Sequence, residues 1–428
     1  MKNGIARLKK VARRRFRYNP LNPKFSRKGV ALLLAMTSLL LMVFIASELA
    51  KDSAIEYVVN TQDLKRLKAY YAAKNSLEIA LLRVKIFQQA SRAPLPESFK
   101  AQLDQLWQFP LEWPLPIAAL STGLAKEEMT EATAEALFDG AFIQTIMDEG
   151  SKFDINDLAS PSKTLRDVSK KQLVNIFQSK LESDEIFRQN YQNFRFDELV
   201  NRIQDWMSDK NSTDNGGDKR EPFRALGEGY PPNRGFRTID ELRMVPGMTE
   251  EFFQILAPQI TIYGMKAINP NTANEKVLKS LDPGITDEAI KEAIERRTNP
   301  DKGGPFKGDA KACREDFKAF IISRGSRIKD EDFDKLPFLC DKVTSFRIRA
   351  EGRSSSNPGA VKSVITVVIM DTARAAAQIK SYLKEEKKAN QPQPPPGQPP
   401  AQTGPTSVPA PQEPLPKGRP RIVYWQEN

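Results

Sequence analysis

From Val30 to Ala46 the chain reads VALLLAMTSLLLMVFIA, seventeen residues with neither a charge nor a proline. At about 1.5 Å rise per residue, a helix of this length lies at the short end of what crosses a hydrocarbon core. The pattern then turns amphipathic. Leu64, Leu67, Tyr71, Leu77, Leu81 and Val84 recur near the 3.6-residue period, separated by Lys65, Arg66, Lys68, Lys74, Glu78, Arg83 and Lys85. The spacing predicts a helix over Asp63–Gln89, continuous with the apolar run. Its first half is expected in lipid or among other helices, and its second half needs a sheet or further helices over its apolar stripe. Five prolines and two tryptophans between Ser91 and Pro116 end it.

Strand patterns follow. Ala141–Asp148 and Lys152–Ile155 flank Glu149-Gly150-Ser151, which predicts a β-hairpin turned at the glycine. Thr344–Ala350 alternates strictly, Lys362–Met370 is rich in Val and Ile, and Ser354–Gly359 joins them as a second hairpin. The interval between the hairpins is helical in pattern. Phe196, Leu199, Val200, Ile203 and Met207 mark one face, with Asp197 and Glu198 in the first turn. Thr238-x-x-Glu241 and Thr272-x-x-Glu275 have the form of capping boxes. A repeat is visible too: Leu242-Arg-Met-Val-Pro-Gly-Met-Thr-Glu-Glu is echoed by Leu278-Lys-Ser-Leu-Asp-Pro-Gly-Ile-Thr-Asp-Glu, each a Pro-Gly turn before a helix capped by Thr249 or Thr286. The economical architecture is one small antiparallel sheet packed on the long helix, with a large helical domain inserted into it.

After a charged, helix-like stretch at Ala373–Ala389, residues 391–428 hold 12 of the 31 prolines, a composition that favours polyproline II or disorder. Arg421-Ile-Val-Tyr-Trp425 is apolar enough to dock on something, or is a plain terminus.

Charge sharpens the N-terminal reading. The formal net charge is +11, from 65 Lys+Arg against 54 Asp+Glu, and residues 1–29 contain eleven Lys or Arg and no acid. The remainder is therefore formally neutral. The basic excess argues for orientation at a membrane, with the N-terminus cytoplasmic, and little for nucleic-acid binding. Cleavage before the span, after Gly29, suits the long run better than a signal-peptidase site at Ser47–Lys51; an uncleaved signal anchor is the alternative.

With no histidine, the Ser-His-Asp, Cys-His and HExxH chemistries are excluded, and no nucleophile motif is present. Asp148 and Glu149, two acids in a turn, read as solvated, and the chain is expected to be no enzyme. Cys313 and Cys340 form one disulfide if the domain is exported, or are free buried thiols. Asp205, Asp209, Asp214, Asp218 and Glu221 surround Gly216-Gly217 in an oxygen-rich loop of the kind that suits calcium. Counted from Asp209, however, the sixth position of an EF-hand is Asp214 where glycine belongs. A solvated acidic loop is the other reading.

Four stretches in this order resemble the K-type minor pseudopilin of bacterial type II secretion (general secretion pathway protein K): Lys28-Gly-Val-Ala-Leu-Leu33, Asp148-Glu-Gly-Ser-Lys-Phe-Asp-Ile-Asn-Asp-Leu158, Ile239-Asp-Glu-Leu-Arg-Met-Val-Pro-Gly-Met248 and Ile268-Asn-Pro-Asn-Thr-Ala273. The resemblance, which leaves the long leader and the Pro-rich tail outside it, implies a pilin-like α/β fold with a large helical insertion. The chain then divides as a basic leader (1–29), a transmembrane helix (30–50), the helix extension and first part of the pilin-like domain (51–155), an inserted helical domain (156–340), closing strands (341–372) and a helix-like stretch with a Pro-rich disordered tail (373–428). The resemblance also implies a prepilin peptidase that cuts between Gly29 and Val30 and methylates Val30. Its implied setting is an inner-membrane anchor with a periplasmic domain, at the tip of a pseudopilus that aids export of folded proteins across the outer membrane. The implied partners are I-type and J-type minor pseudopilins, the major pseudopilin and the inner-membrane secretion platform, and members of the family can bind calcium. Where most pilin-like proteins carry Glu at the fifth mature position, this chain has Leu34, as the K-type family does. A buried carboxylate there needs a partner, and an outermost subunit has none above it.

The Pro-Gly repeat and Ile268–Ala273 also resemble the helix-hairpin-helix elements of membrane-anchored, competence-type DNA-binding proteins. At the positions that would hold a phosphate stand Thr249-Glu250-Glu251 and Thr286-Asp287-Glu288, whose carboxylates repel one. No nucleic acid is expected.

Overall fold

The apolar run and its amphipathic continuation form one helix, α1 (Arg27–Ala90). The computed structural model describes residues 27–90, 106–114, 421–428 and 140–370 apart from 214–215, 264–266, 330, 341–342, 344, 356 and 358, with isolated residues between 127 and 138 and between 383 and 387. Ala373–Ala389 and residues 391–420 therefore lie largely or wholly outside the described residues. The chain divides into two units, Met1–Leu67 and Lys68–Asn428. In the first unit the large side chains of α1, Leu32 to Val59, are exposed.

In the second unit Leu77 and Val84 of the expected stripe are buried and Leu81 packs beside them, but the buried face is otherwise made of small residues. Ala69, Ala72, Ala73, Ser76, Leu77, Ala80, Val84 and Phe87 are covered, whereas Tyr71 is exposed, as Leu64 and Leu67 are in the first unit. The reason is close approach. A Cβ on Gly352 would stand 2.2 Å from the Ala69 carbonyl oxygen and the Ala73 nitrogen, so the helix backbone lies directly against the sheet. Small residues permit that distance and large ones do not.

The sheet contains β1 (Leu111–Trp113) and β2 (Ala141–Asp148). Across an insertion these are followed by β5 (Ser345–Arg353), β6 (Lys362–Met370) and β7 (Arg421–Glu427). Among the described residues the order is β1-β2-β5-β6-β7, with antiparallel neighbours throughout. The β5–β6 hairpin agrees with the sequence pattern: Phe346, Ile348 and Ala350 alternate inward and pair with Ile369, Val367 and Ile365. Trp107, Phe87 and Phe346 meet edge to face, with ring centroids 5.3–6.0 Å apart, and close this core against α1. The C-terminal segment adds to the sheet of its own chain. Val367 pairs with Trp425 and Val368 with Tyr424, and Val364 and Asn428 exchange backbone bonds of 2.8 and 2.9 Å.

The expected first hairpin does not form. β2 pairs with β1 and β5, while β3 (Phe153–Asp154) pairs in parallel with β4 (Ile260–Thr261) in a separate two-stranded sheet. Period-two patterning marks strands and leaves their partners open. Here Glu149–Ser151 is a 3-10 turn capped by the Asp148 side chain, and it directs Phe153 and Ile155 into another core.

That second core lies between Phe153 and Cys340. It is built by α2 (Lys163–Ser183), α3 (Glu185–Tyr191), α4 (Phe196–Met207), α5 (Glu250–Leu256), α6 (Glu275–Lys279), α7 (Asp287–Thr298) and α8 (Ala310–Ser323) with the intervening turns. The α4 face is buried as its spacing predicts. Thr249 and Thr286 cap α5 and α7, accepting from the backbone N–H of Phe252 and Ala289. Neither expected capping box forms. Thr238 makes no cap bond, and Glu241 accepts from Arg234 and from the Arg237 backbone N–H. Asn274 caps α6 in place of Thr272, whose hydroxyl is engaged elsewhere.

Candidate functional site

Three places carry the residues singled out from sequence. The first is the junction. Gly29 lies in the first turn of α1 with nothing near its Cβ position, and Val30 and Leu34 are 47 % and 62 % exposed. The helix from Gly29 is long and apolar enough to cross a membrane, and its apolar window is unburied. An apolar surface of this extent belongs against lipid or other helices.

The second is the joint between the sheet and the insertion. Asp148 and Glu149, expected in solvent, are buried. One Asp148 oxygen accepts from the Gly150 N–H at 2.7 Å; the other accepts from Asn269 Nδ2 at 3.2 Å and from the Thr272 hydroxyl at 2.7 Å. Burial pushes its pKa up to about 6, against the pull of these donors. Glu149 accepts from Arg347 Nε at 2.6 Å, is also paired through the other arm of that guanidinium, and has Lys152 Nζ at 3.6 Å. The Ile268–Ala273 motif thus has a structural purpose. Its Asn269 N–H donates to the Gly150 carbonyl, Asn271 bonds the backbone of Phe306 and Cys340, and Arg297 clamps the Pro270 and Ala273 carbonyls. The Cys313–Cys340 disulfide, with Cα atoms 5.9 Å apart, ties α8 to the same region.

The second Pro-Gly turn is satisfied from within the chain. Asp282 accepts from the Gly284 and Lys329 backbone N–H groups, and Arg327 N–H donates to the Gly284 carbonyl. A Cβ on Gly284 would stand 1.7 Å from the Arg327 carbonyl oxygen, which shows how closely that strand of backbone covers the turn. At the first turn Arg243 pairs with Glu250 and holds that carboxyl down at about 2. A phosphate would meet carboxylates at one turn and the chain's own backbone at the other.

The third is the acidic loop. Asp205 is buried, Asp218 caps the Arg220 N–H at 2.9 Å, Glu221 pairs with Arg224 at 2.6 Å, and Asp214 lies outside the described residues. Among the described residues no three acidic, histidine or cysteine side chains gather as a metal site. The sequence reading missed the residue at the centre of the loop. Lys219 is 2 % exposed, and its ammonium donates to the Ser208 carbonyl and, at 2.7 Å, to Asn233 Oδ1. Burial lowers its pKa, while Asp205 and Asp209 oppose the shift.

Much of this geometry, from the Ser151 turn through α4, the Lys219 loop and β4, lies in one matched segment. Residues 151–265 match the family model described as type II secretion system (T2SS), protein K. Through this segment the chain is similar to the type II secretion protein K family. A solved chain from the crystal structure of the GspK-GspI-GspJ complex of the enterotoxigenic Escherichia coli Type 2 Secretion System is similar at 18 % identity. The likeness covers 74 % of this chain and 95 % of that chain, with a TM-score of 0.49. No curated protein matches the chain. The protein K segment excludes Gly29, Val30 and Leu34 and includes Asp205 to Glu221.

Proposed function

We propose that this protein is the minor pseudopilin at the tip of the type II secretion pseudopilus, where it initiates assembly and aids export of folded proteins across the outer membrane. The observation that carries the reading is a protein K segment lying in a chain that also presents an apolar, unburied helix at its N-terminal end. Prepilin peptidase cuts between Gly29 and Val30 and methylates Val30. The mature chain is then anchored in the inner membrane with its C-terminal part periplasmic, because the Lys and Arg that precede the span stay cytoplasmic. Leu34 and its apolar neighbours pack with helices of I-type, J-type and major pseudopilins, and the secretion platform of the inner membrane receives the assembly. The fold is pilin-like, and its inserted domain is too bulky for a further subunit to stack above it. The work is assembly and not catalysis: no histidine is present, and the buried acids Asp148 and Glu149 are consumed in holding the fold together.

The competence-type DNA-binding alternative finds no support at the Pro-Gly turns: carboxylates stand at the first, and the chain's own backbone covers the second. The test is co-expression with the I-type and J-type minor pseudopilins and the peptidase. A ternary complex whose K-type subunit starts at methylated Val30 is expected. A chain that stays monomeric beside them, or that binds duplex DNA tightly and in a salt-sensitive way, would sink the reading.

A further inference from the structure

An oxygen-rich loop in a family that can bind calcium invites a metal ion, yet a cation already stands in it. Lys219 counts with tryptophans and phenylalanines among the largest fully buried side chains of the described residues. The loop is shaped to put it there. Thr213 and Gly217 close a turn through bonds of 2.9 and 3.0 Å, Gly216 takes φ +82°, and the Lys219 N–H returns to the Asn211 carbonyl at 3.3 Å. The side chain then reaches back to the C-terminal end of α4. There the Ser208 carbonyl is the helix C-cap, and the negative end of the helix dipole favours a positive charge. Asn233, a non-glycine residue held at φ +53°, turns its amide oxygen to the same nitrogen. Asp205 and Asp209 supply the negative charge. A carbonyl and an amide oxygen, with two carboxylates near enough to act on the ammonium by their charge, make the setting that a hard divalent ion would seek. With the ammonium among them, a calcium ion would face a like charge, so the residues present do not fit the metal.

We propose that the Lys219 ammonium is the resident cation of this loop, a tethered substitute for a divalent metal ion, so that this part of the chain holds its fold without calcium. Stabilisation by a bound ion varies with the concentration of that ion, and stabilisation by a covalently attached one does not. The trait would free the domain from the calcium content of its surroundings.

The test is thermal unfolding of the full chain in detergent, in EGTA and in millimolar calcium. Wild type is expected to melt at the same temperature in both. Lys219→Ala should melt several degrees lower in EGTA and recover in calcium, because the vacated oxygens then accept the metal. Lys219→Ala combined with Asp205→Asn should show no calcium response. If Lys219→Ala yields no folded protein in EGTA, its recovery in calcium supports the proposal equally, and its failure to recover overturns it. The proposal also fails if calcium raises the wild-type melting temperature in a manner that Asp205→Asn abolishes, or if Lys219→Ala melts with wild type in EGTA.

Discussion

A carboxylate at Asp148 survives burial because three donors converge on it: the Gly150 N–H, Asn269 Nδ2 and the Thr272 hydroxyl. They do not fully compensate, and its pKa stays raised from 3.8 to about 6, with the adjacent Glu149 adding a like charge. The direction of the pH effect follows. Between these two values the folded chain binds a proton that the unfolded chain does not, so the stabilisation present below about pH 4 is lost as pH rises through about 6. A shift of this size corresponds to about 3 kcal/mol. Wild type is therefore expected to lose about that much stability relative to Asp148→Asn between pH 4 and 6, with a constant difference above. Denaturant titrations of both proteins across that range would show it. A pH-independent difference would mean that the group titrates normally. Glu149, paired with the half-buried Arg347, is buried as well, and the expectation of two solvated acids fails for one reason: a turn is solvated only if nothing packs on it. Here Ile268–Ala273 does.

At the scale of elements, the contact of α1 with the sheet combines large side chains (Leu77, Val84 and Phe87) with a direct approach of backbone to backbone. The buried face of α1 holds Ala69, Ala72, Ala73 and Ala80, and β5 answers with Gly352. Beside it, with its amide assigned from the surrounding hydrogen-bond network, Gln144 on β2 donates to the Ser76 carbonyl at 3.0 Å and accepts from Arg83 at 2.8 Å, while Arg83 also holds the Leu106 carbonyl. A methyl group at position 352 would collide with helix backbone, which cannot rotate aside as a side chain can. Gly352→Ala is expected to cost about 3 kcal/mol, at the upper end for overpacking, and to lower the unfolding midpoint accordingly. Near-neutral behaviour would show that α1 can lift from the sheet cheaply. The other side of the sheet ends in β7: the apolar Arg421–Trp425 pattern left a docking segment and a plain terminus both open, and β6 of the same chain receives it.

At the scale of the whole molecule, two hydrophobic cores coexist within Lys68–Asn428, one under the sheet and one between Phe153 and Cys340. The disulfide belongs to the second. Cys313 and Cys340 are 27 residues apart in sequence, and in the chain-entropy model a loop of that size contributes roughly 3 kcal/mol. Reduction is expected to lower the melting temperature and to speed amide exchange in α8 more than in β5 and β6, whose core does not contain the bridge. Equal loosening of both cores would indicate that they unfold as one. The protein K segment lies chiefly in the second core, so the family likeness and the long apolar helix are carried by separate stretches of the chain.

The sequence by itself determined what depends on local pattern and composition. An uncharged run followed by helical periodicity dictates α1, alternation dictates β5 and β6, and threonine before an acidic first turn dictates the caps at Thr249 and Thr286. The spacing of Phe196 to Met207 likewise dictates the buried face of α4. Tertiary structure alone decided which groups meet across long separations: β2 with β5, β3 with β4, Asp148 with Asn269 and Thr272, and Lys219 with Asn233. The physical reason is the same in each case. A strand pattern, a carboxylate or an ammonium states a need for a partner, and the partner is chosen only when packing brings one segment of the chain against another. The acidic loop shows the consequence most directly: composition left it as either a calcium loop or a solvated one, and the fold places the buried Lys219 ammonium against the Ser208 carbonyl and Asn233.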